Sequence, residues 1–252
     1  MIPAIEVRDL TYCYPQGTEA LQGINFSVRQ GECVGLIGPN GSGKSTLLLH
    51  LNGLLPEDLQ GPPSVFILGD PLTAKSVSAI RRRVGLLFQD PDDQLFCPTV
   101  FEDVAFGPQQ FGREGEDLRE LVAETLRKVG LEGFEDRSPH HLSGGEKQRI
   151  CLAGILACQP AILALDEPTS NLDPRGKREL KALLQSIPVT KVIASHDLEM
   201  VLDLCSRTVL LDAGCIVAEG SSKDLLSNEA LMLQHGLEKP HSLLHRHPHS
   251  PM

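Results

Sequence analysis

Gly38-Pro39-Asn40-Gly41-Ser42-Gly43-Lys44-Ser45, followed by Thr46, decides how the rest of this chain is read. It fits the pattern G-x-x-x-x-G-K-[ST] in the setting that gives the pattern physical meaning. Before it, the apolar run Cys33–Ile37 predicts a short buried strand; after it, a leucine-rich run predicts a helix that stops at Asn52-Gly53. A triphosphate needs many donors converging on a small volume, and glycines let the backbone curl until its N–H groups converge. The helix N-terminus adds a favourable dipole. Lys44 would bring a positive charge to the outer phosphates, and Ser45 a hydroxyl to a Mg²⁺ ion. The bland alternative, a glycine-rich turn before an ordinary helix, does not account for the strand–loop–helix context.

Further along, the apolar run 161–165 ends in Asp166-Glu167. Alternation along a strand would send the two carboxylates in different directions. Asp166 is then expected at the Mg²⁺ ion and Glu167 at a water near the terminal phosphate, which a carboxylate can orient and deprotonate. A solvated strand end is the competing reading, and it weakens once the phosphate loop is present. Together the two motifs predict an α/β P-loop nucleoside triphosphatase.

The surrounding chain agrees with that class. Ile5 and Val7, then Ile24, Phe26 and Val28, alternate as strand residues do, and 65–68, 84–88, 189–194 and 208–211 predict further strands. Helical segments at 174–186 and 197–205 lie between strands, so a largely parallel sheet flanked by helices is expected. From about 92 to 158 the texture is helical: Leu118, Leu121, Val122, Thr125 and Val129 form one apolar face closed by Gly130, and another helix begins at Ser143. Arg81-Arg82-Arg83 reads as the solvated end of an element entering the next strand rather than as a basic patch.

Composition sets limits. The net charge is −10, with 33 acidic against 23 basic residues. An acidic surface repels phosphate backbones, which argues against nucleic acid as the main partner. No apolar run approaches the roughly 20 residues of a membrane span, and the first residues lack a signal-peptide layout, so a membrane role would need a separate membrane partner. The seven cysteines are odd in number, form no Cys-x-x-Cys pair and sit largely in apolar runs, as small core residues of a reducing compartment do.

Leu142-Ser143-Gly144-Gly145-Glu146-Lys147-Gln148 narrows the class. Alone, Ser143-x-x-Glu146 is only a capping box at a helix start. Standing between the two nucleotide motifs, the segment resembles the signature motif of ABC ATPases. Other residues fall in that family's order over about 5–225. Tyr14 resembles the aromatic that stacks on adenine, with Tyr12 as the competing candidate. Gln89 resembles the glutamine that senses Mg²⁺ and the membrane partner. Ser170-Asn171-Leu172-Asp173 resembles the D-loop, and His196 resembles the switch histidine.

The resemblance implies an ABC-type P-loop fold: a RecA-like core with a mixed sheet, an antiparallel β subdomain, and a helical signature subdomain at about 92–158 within an ATPase domain of 1–225. It implies ATP and Mg²⁺ as ligands, with Ser45, Gln89 and Asp166 at the metal, and Glu167 and His196 as the catalytic residues. It also implies a head-to-tail homodimer in which Ser143, Gly144, Gly145, Glu146 and Asp173 complete the neighbour's site. Such a dimer would work peripherally at the cytoplasmic face of a membrane, with an integral coupling subunit and a substrate-binding membrane subunit.

A narrower likeness rests on Phe88-Gln89-Asp90-Pro91-Asp92-Asp93-Gln94-Leu95-Phe96 and on 99–108. These resemble the ATPases of energy-coupling-factor importers, most of all those for cobalt or nickel. Cys97 and Phe101 are idiosyncratic there, and Glu146 replaces a glutamine common in the family. Asp90, Asp92 and Asp93 form an acidic turn expected to be exposed, suited to an arginine-bearing helix of the membrane subunit. Residues 226–252 read as a flexible His/Pro-rich tail, whose His241, His245, His247 and His249 could bind Ni²⁺ or Co²⁺. The alternatives are an importer of another substrate, such as a vitamin, or a non-transport ABC protein acting on DNA or the ribosome. Only 122 residues separate Lys44 from Asp166, which leaves no room for the long coiled coil of DNA-acting relatives.

Overall fold

Two kinds of strand build two kinds of sheet. The computed structural model describes residues 2–244. Strands β1 (Ile5–Cys13) and β2 (Glu19–Val28) alternate buried and exposed residues and pair antiparallel, with Ile5 opposite Val28. Strands β4 (Val65–Ile67) and β5 (Asp70–Pro71) extend them into a four-stranded antiparallel sheet of order β2-β1-β4-β5.

The second sheet uses nearly continuous apolar runs: β3 (Cys33–Ile37), β6 (Val84–Leu87), β7 (Ile162–Asp166), β8 (Thr190–Ala194) and β9 (Arg207–Asp212). Such runs suit parallel strands covered on both faces, and these five are parallel; β10 (Cys215–Ser221) closes one edge antiparallel, in the order β10-β9-β3-β8-β7-β6. The mixed sheet and the antiparallel subdomain both match expectation.

Helix α1 (Lys44–Asn52) leaves the loop after β3 and ends where Gly53 takes a left-handed φ of 73°. Helix α2 (Val77–Arg83) carries the arginine triplet in its last turn; Arg81 donates to Gly53 O at 2.7 Å and Arg83 pairs with Asp70. Helices α3 (Val100–Gln110), α4 (Gly115–Lys128) and α5 (Gly144–Ala157) close around an apolar cluster of their own, with Val100, Val104, Leu118, Val122, Leu126 and Ile150 buried. Helices α6 (Pro174–Ser186) and α7 (Leu198–Leu204) lie between β7 and β9 in the chain.

The flexible tail expected from 226 needs correction as far as 244. Helices α8 (Ser222–Ser227), α9 (Glu229–Gln234) and α10 (His241–Leu244) follow β10, and Leu226, Met232 and Leu237 are buried in the same cluster as Ile193 and Leu210. Sparse apolar residues at uneven spacing gave little periodicity, yet each has a core to enter. Ser242 anchors α10 by donating from its backbone N–H and its hydroxyl to Glu199. His245, His247 and His249 lie outside the described residues.

Candidate functional site

The phosphate loop runs from the end of β3 to the start of α1 as the sequence requires. Gly38 has a φ of 148°, and a Cβ there would stand 2.0 Å from the Leu211 carbonyl oxygen. Gly43, at φ 104°, would place one 2.5 Å from Ala20 O. Only glycine fits either place. Lys44 Nζ donates to Gly38 O and Pro39 O, both at 2.9 Å, so the loop wraps its own ammonium. Burial lowers the lysine's pKa, and the charges of Glu167 and Asp166 oppose the shift.

A cavity of about 330 Å³ lies over this loop, lined by Asn40 to Thr46 and by Tyr14, Gln89, Asp166, Glu167 and His196. Of the two candidate tyrosines only Tyr14 lines it, its hydroxyl 3.0 Å from Thr46 Oγ1. Tyr12 packs edge-on against His50 and Tyr14 instead. Thr18, Glu19 and Ala20, which carried no sequence signal, complete one wall.

The two carboxylates converge by a route different from strand alternation. Asp166 ends β7, and Glu167 turns off the strand at a left-handed φ of 43°, its N–H held by Ala194 O at 2.9 Å. Glu167 is 8% exposed. Its Oε2 accepts from the His196 N–H at 3.1 Å and from Ser195 Oγ at 3.3 Å. Its Oε1 has no hydrogen-bond partner, although His196 Nε2 lies 3.4 Å away. One oxygen is fixed and the other left available, as a base for a bound water needs to be. Ser195 was missed because a serine at the end of an apolar strand carries no distinguishing pattern.

Asp166 Oδ1 is likewise buried without a partner. Burial pushes this carboxyl above its usual range, opposed by the Ser45 hydroxyl and the charges of Lys44 and His196. A buried, unpartnered carboxylate oxygen in one cavity with Ser45 and Gln89 is an all-oxygen donor set that suits Mg²⁺. Bound there, the ion would neutralise charge on phosphate oxygens.

The signature segment lies elsewhere. Ser143 caps α5 and completes the expected capping box: its N–H donates to Glu146 Oε2 at 2.8 Å, and its Oγ accepts from Glu146 N–H at 3.3 Å. The serine's hydroxyl and N–H hold the Glu146 carboxyl below its usual value. Ser143, Gly144, Gly145 and Glu146 line a separate cleft of about 960 Å³ with Asn171, Asp173, Arg149 and Arg175. Asp173 caps α6 there, accepting from Gly176 N–H at 2.6 Å. Among the described residues, none of 143–146 lines the phosphate-loop cavity.

Asp90, Asp92 and Asp93 are exposed, as expected. Two of them also have work inside the chain. Asp90 caps a 3₁₀ turn, accepting from Asp92 N–H at 3.0 Å, and Asp92 pairs with Lys147 of α5.

Residues 21–170 match the family described as ABC transporter. The chain belongs to the ABC transporter ATP-binding family. A protein of Gloeobacter violaceus, provisionally named an ABC transporter ATP-binding protein, is 54% identical over 96% of this chain and 99% of its own length. The energy-coupling factor transporter ATP-binding protein EcfA of Methanothermobacter thermautotrophicus is 47% identical, covering 94% of this chain and 76% of its own. Among solved structures, cbiO1 from Clostridium perfringens, described as part of the ABC transporter complex cbiONQ, superposes with a TM-score of 0.79 at 33% identity, covering 93% of this chain and 94% of that one. This ABC ATPase therefore has its phosphate loop, acidic strand end and signature helix on the fold its family uses to hydrolyse ATP. No helix among the described residues is long and apolar enough to cross a membrane.

Proposed function

We propose that this ABC ATPase powers import of cobalt or nickel ion through a separate membrane complex, working peripherally at the cytoplasmic face as a head-to-tail homodimer. The membrane complex would comprise an integral coupling subunit and a substrate-binding subunit. The observation that carries the reading is the separation of two half-sites on one chain. One cavity holds Lys44, Asp166 and the free oxygen of Glu167, and the other holds Ser143 to Glu146 and Asp173. A second copy in antiparallel arrangement would bring each half to the other. A solved ATP-binding cassette, 29% identical with a TM-score of 0.77 over 86% of this chain and 98% of its own, is described as dimeric and bound to ADP and Pi.

In that dimer Lys44 and the loop N–H groups hold the β- and γ-phosphates, and Tyr14 faces the adenine. Glu167 accepts the proton of the attacking water through Oε1 while His196 and Ser195 hold Oε2 in place. His196 would lie against the γ-phosphate, and Ser45, Gln89 and Asp166 would hold Mg²⁺, which would neutralise phosphate charge. The likeness of 88–108 to cobalt and nickel importers supports the choice of ion. The test is uptake by vesicles holding the chain with its membrane subunits. ATP-dependent entry of Co²⁺ or Ni²⁺ is expected; ATP-driven entry of a vitamin, with neither ion transported, would replace this substrate by the other importer class.

A further inference from the structure

We propose that Cys33 and Cys205 form a thiol pair that hydrogen peroxide oxidises to an intramolecular disulfide between β3 and the residue that ends α7. The two residues stand 172 positions apart in the chain, yet their sulfurs lie 3.4 Å from one another. Packing of α7 on β3 brings them together. Gly35 permits the approach, since a Cβ there would meet Val201 Cγ1 at 2.5 Å and Cys205 Sγ at 3.6 Å. A disulfide bond is about 2.05 Å long, so the sulfurs need roughly 1.4 Å of closure.

A cation completes the cluster. Lys191 is the direct neighbour of Cys33 in the β3–β8 register and is buried. Its ammonium donates to the carbonyl oxygens of Ile187 and Val189, and no carboxylate pairs with it among the described residues. Its charge is therefore left to favour a nearby thiolate. Glu32 acts the other way, but Arg207 engages both of its oxygens, at 2.7 and 3.0 Å. The hydrogen bond from Cys205, with the Lys191 charge, holds the Cys33 thiol below its ordinary value, while that bond and burial hold Cys205 well above it.

The chemistry follows from this asymmetry. Cys33 is half-buried and reachable, whereas Cys205 is buried. The Cys33 thiolate attacks one peroxide oxygen; the O–O bond breaks, and the departing hydroxide takes up a proton as water. The product is a sulfenic acid at Cys33. Cys205 Sγ then attacks that sulfur, the S–O bond breaks, and a second water leaves with the Cys205 proton. The thiols lose two electrons and the peroxide gains them. Three other thiols make poor competitors: burial pushes Cys97, beside the Asp103 charge, and Cys158 up to about 11, and Cys151 to about 12. The new bond would tie the end of α7, the helix that begins just after His196, to the root of the strand that feeds the phosphate loop.

The experiment treats the whole chain with equimolar hydrogen peroxide, alkylates the remaining thiols and maps them by peptide mass spectrometry. A linked Cys33–Cys205 peptide pair, lighter by two hydrogens and released by dithiothreitol, is expected. Cys205→Ser should stop at the sulfenic acid on Cys33, trapped by dimedone. The proposal is overturned if both cysteines of the wild-type chain stay alkylatable while exposed Cys13 oxidises, or if Cys33 oxidises without ever linking to Cys205. Because the wild-type chain gives the primary readout, a variant that folds poorly does not decide the result.

Discussion

Lys147 reaches from the first turns of α5 to Asp92, with Nζ 2.6 Å from Oδ1, and so ties the turn after Gln89 to the helix that Ser143 caps. The lysine side chain is 16% exposed and the aspartate 64%. A pair with so exposed a carboxylate contributes about 0.2–1 kcal/mol. The pair is one direct link between the turn and the signature helix. Urea unfolding of Asp92→Asn, Lys147→Met and the double variant should give a coupling of that size; strict additivity would remove the link. Asp93 has no ion pair among the described residues, so Asp93→Lys is the cleaner probe of docking. It should lose pull-down of the membrane subunit while the isolated chain still hydrolyses ATP. Normal assembly and uptake in Asp93→Lys would show that the acidic turn is not where the membrane partner binds.

Glu167→Gln keeps the shape of a side chain that sits at a positive φ beside Ser195 and His196. The amide cannot take a proton from water. ATP binding should stay within a few-fold of wild type, and turnover should fall by about 10²–10⁴. The variant should also accumulate as an ATP-bound dimer on gel filtration. Steady-state turnover near that of wild type would take Glu167 out of the base role.

Asp166 links the site to stability. Burial raises its pKa in the folded chain, so the ionised carboxylate costs stability above the unfolded value of about 3.9, and the cost disappears as pH falls below it. Asp166→Asn should therefore raise the thermal midpoint of the nucleotide-free chain at pH 7, by a margin that narrows towards pH 4. The same change should abolish the Mg²⁺ dependence of ATP binding. A lower midpoint at pH 7 would mean that Lys44 and Ser45 outweigh the burial.

Lys44→Ala strips the loop of the donor shared by Gly38 O and Pro39 O and removes the charge at the phosphates. Nucleotide affinity itself should drop, unlike in Glu167→Gln. Ser143→Arg should instead leave nucleotide binding intact and block the dimer seam. Mixing the two inactive chains gives one composite site with both lesions and one with neither, so a fraction of the ATPase should return. If Ser143→Arg alone hydrolyses ATP at the normal rate as a monomer, the sandwich arrangement fails for this chain.

Local features of the site were legible because their causes are local. The glycines at 38 and 43, the stop at Gly53 and the box between Ser143 and Glu146 each follow from backbone sterics or orphan N–H groups within a few residues. The choice of Tyr14 over Tyr12 was not local. It depends on how the turn after β1 lies against α1, where Thr46 meets the Tyr14 hydroxyl and His50 takes the ring of Tyr12.

What the sequence determined by itself was the strand–loop–helix of the phosphate site, the apolar strand that ends at Asp166, and the capped helix at Ser143, since short-range periodicity, capping and glycine conformation fix all three. Only the tertiary structure decided the order β10-β9-β3-β8-β7-β6, which sets Ser195 and His196 of the β8 end beside Glu167 of the β7 end. It alone placed Leu226, Met232 and Leu237 in the core, joined Asp92 to Lys147, and brought Cys33 to Cys205. Those contacts join residues far apart in the chain, and no local pattern records them because they come from the packing of whole elements around a shared apolar interior.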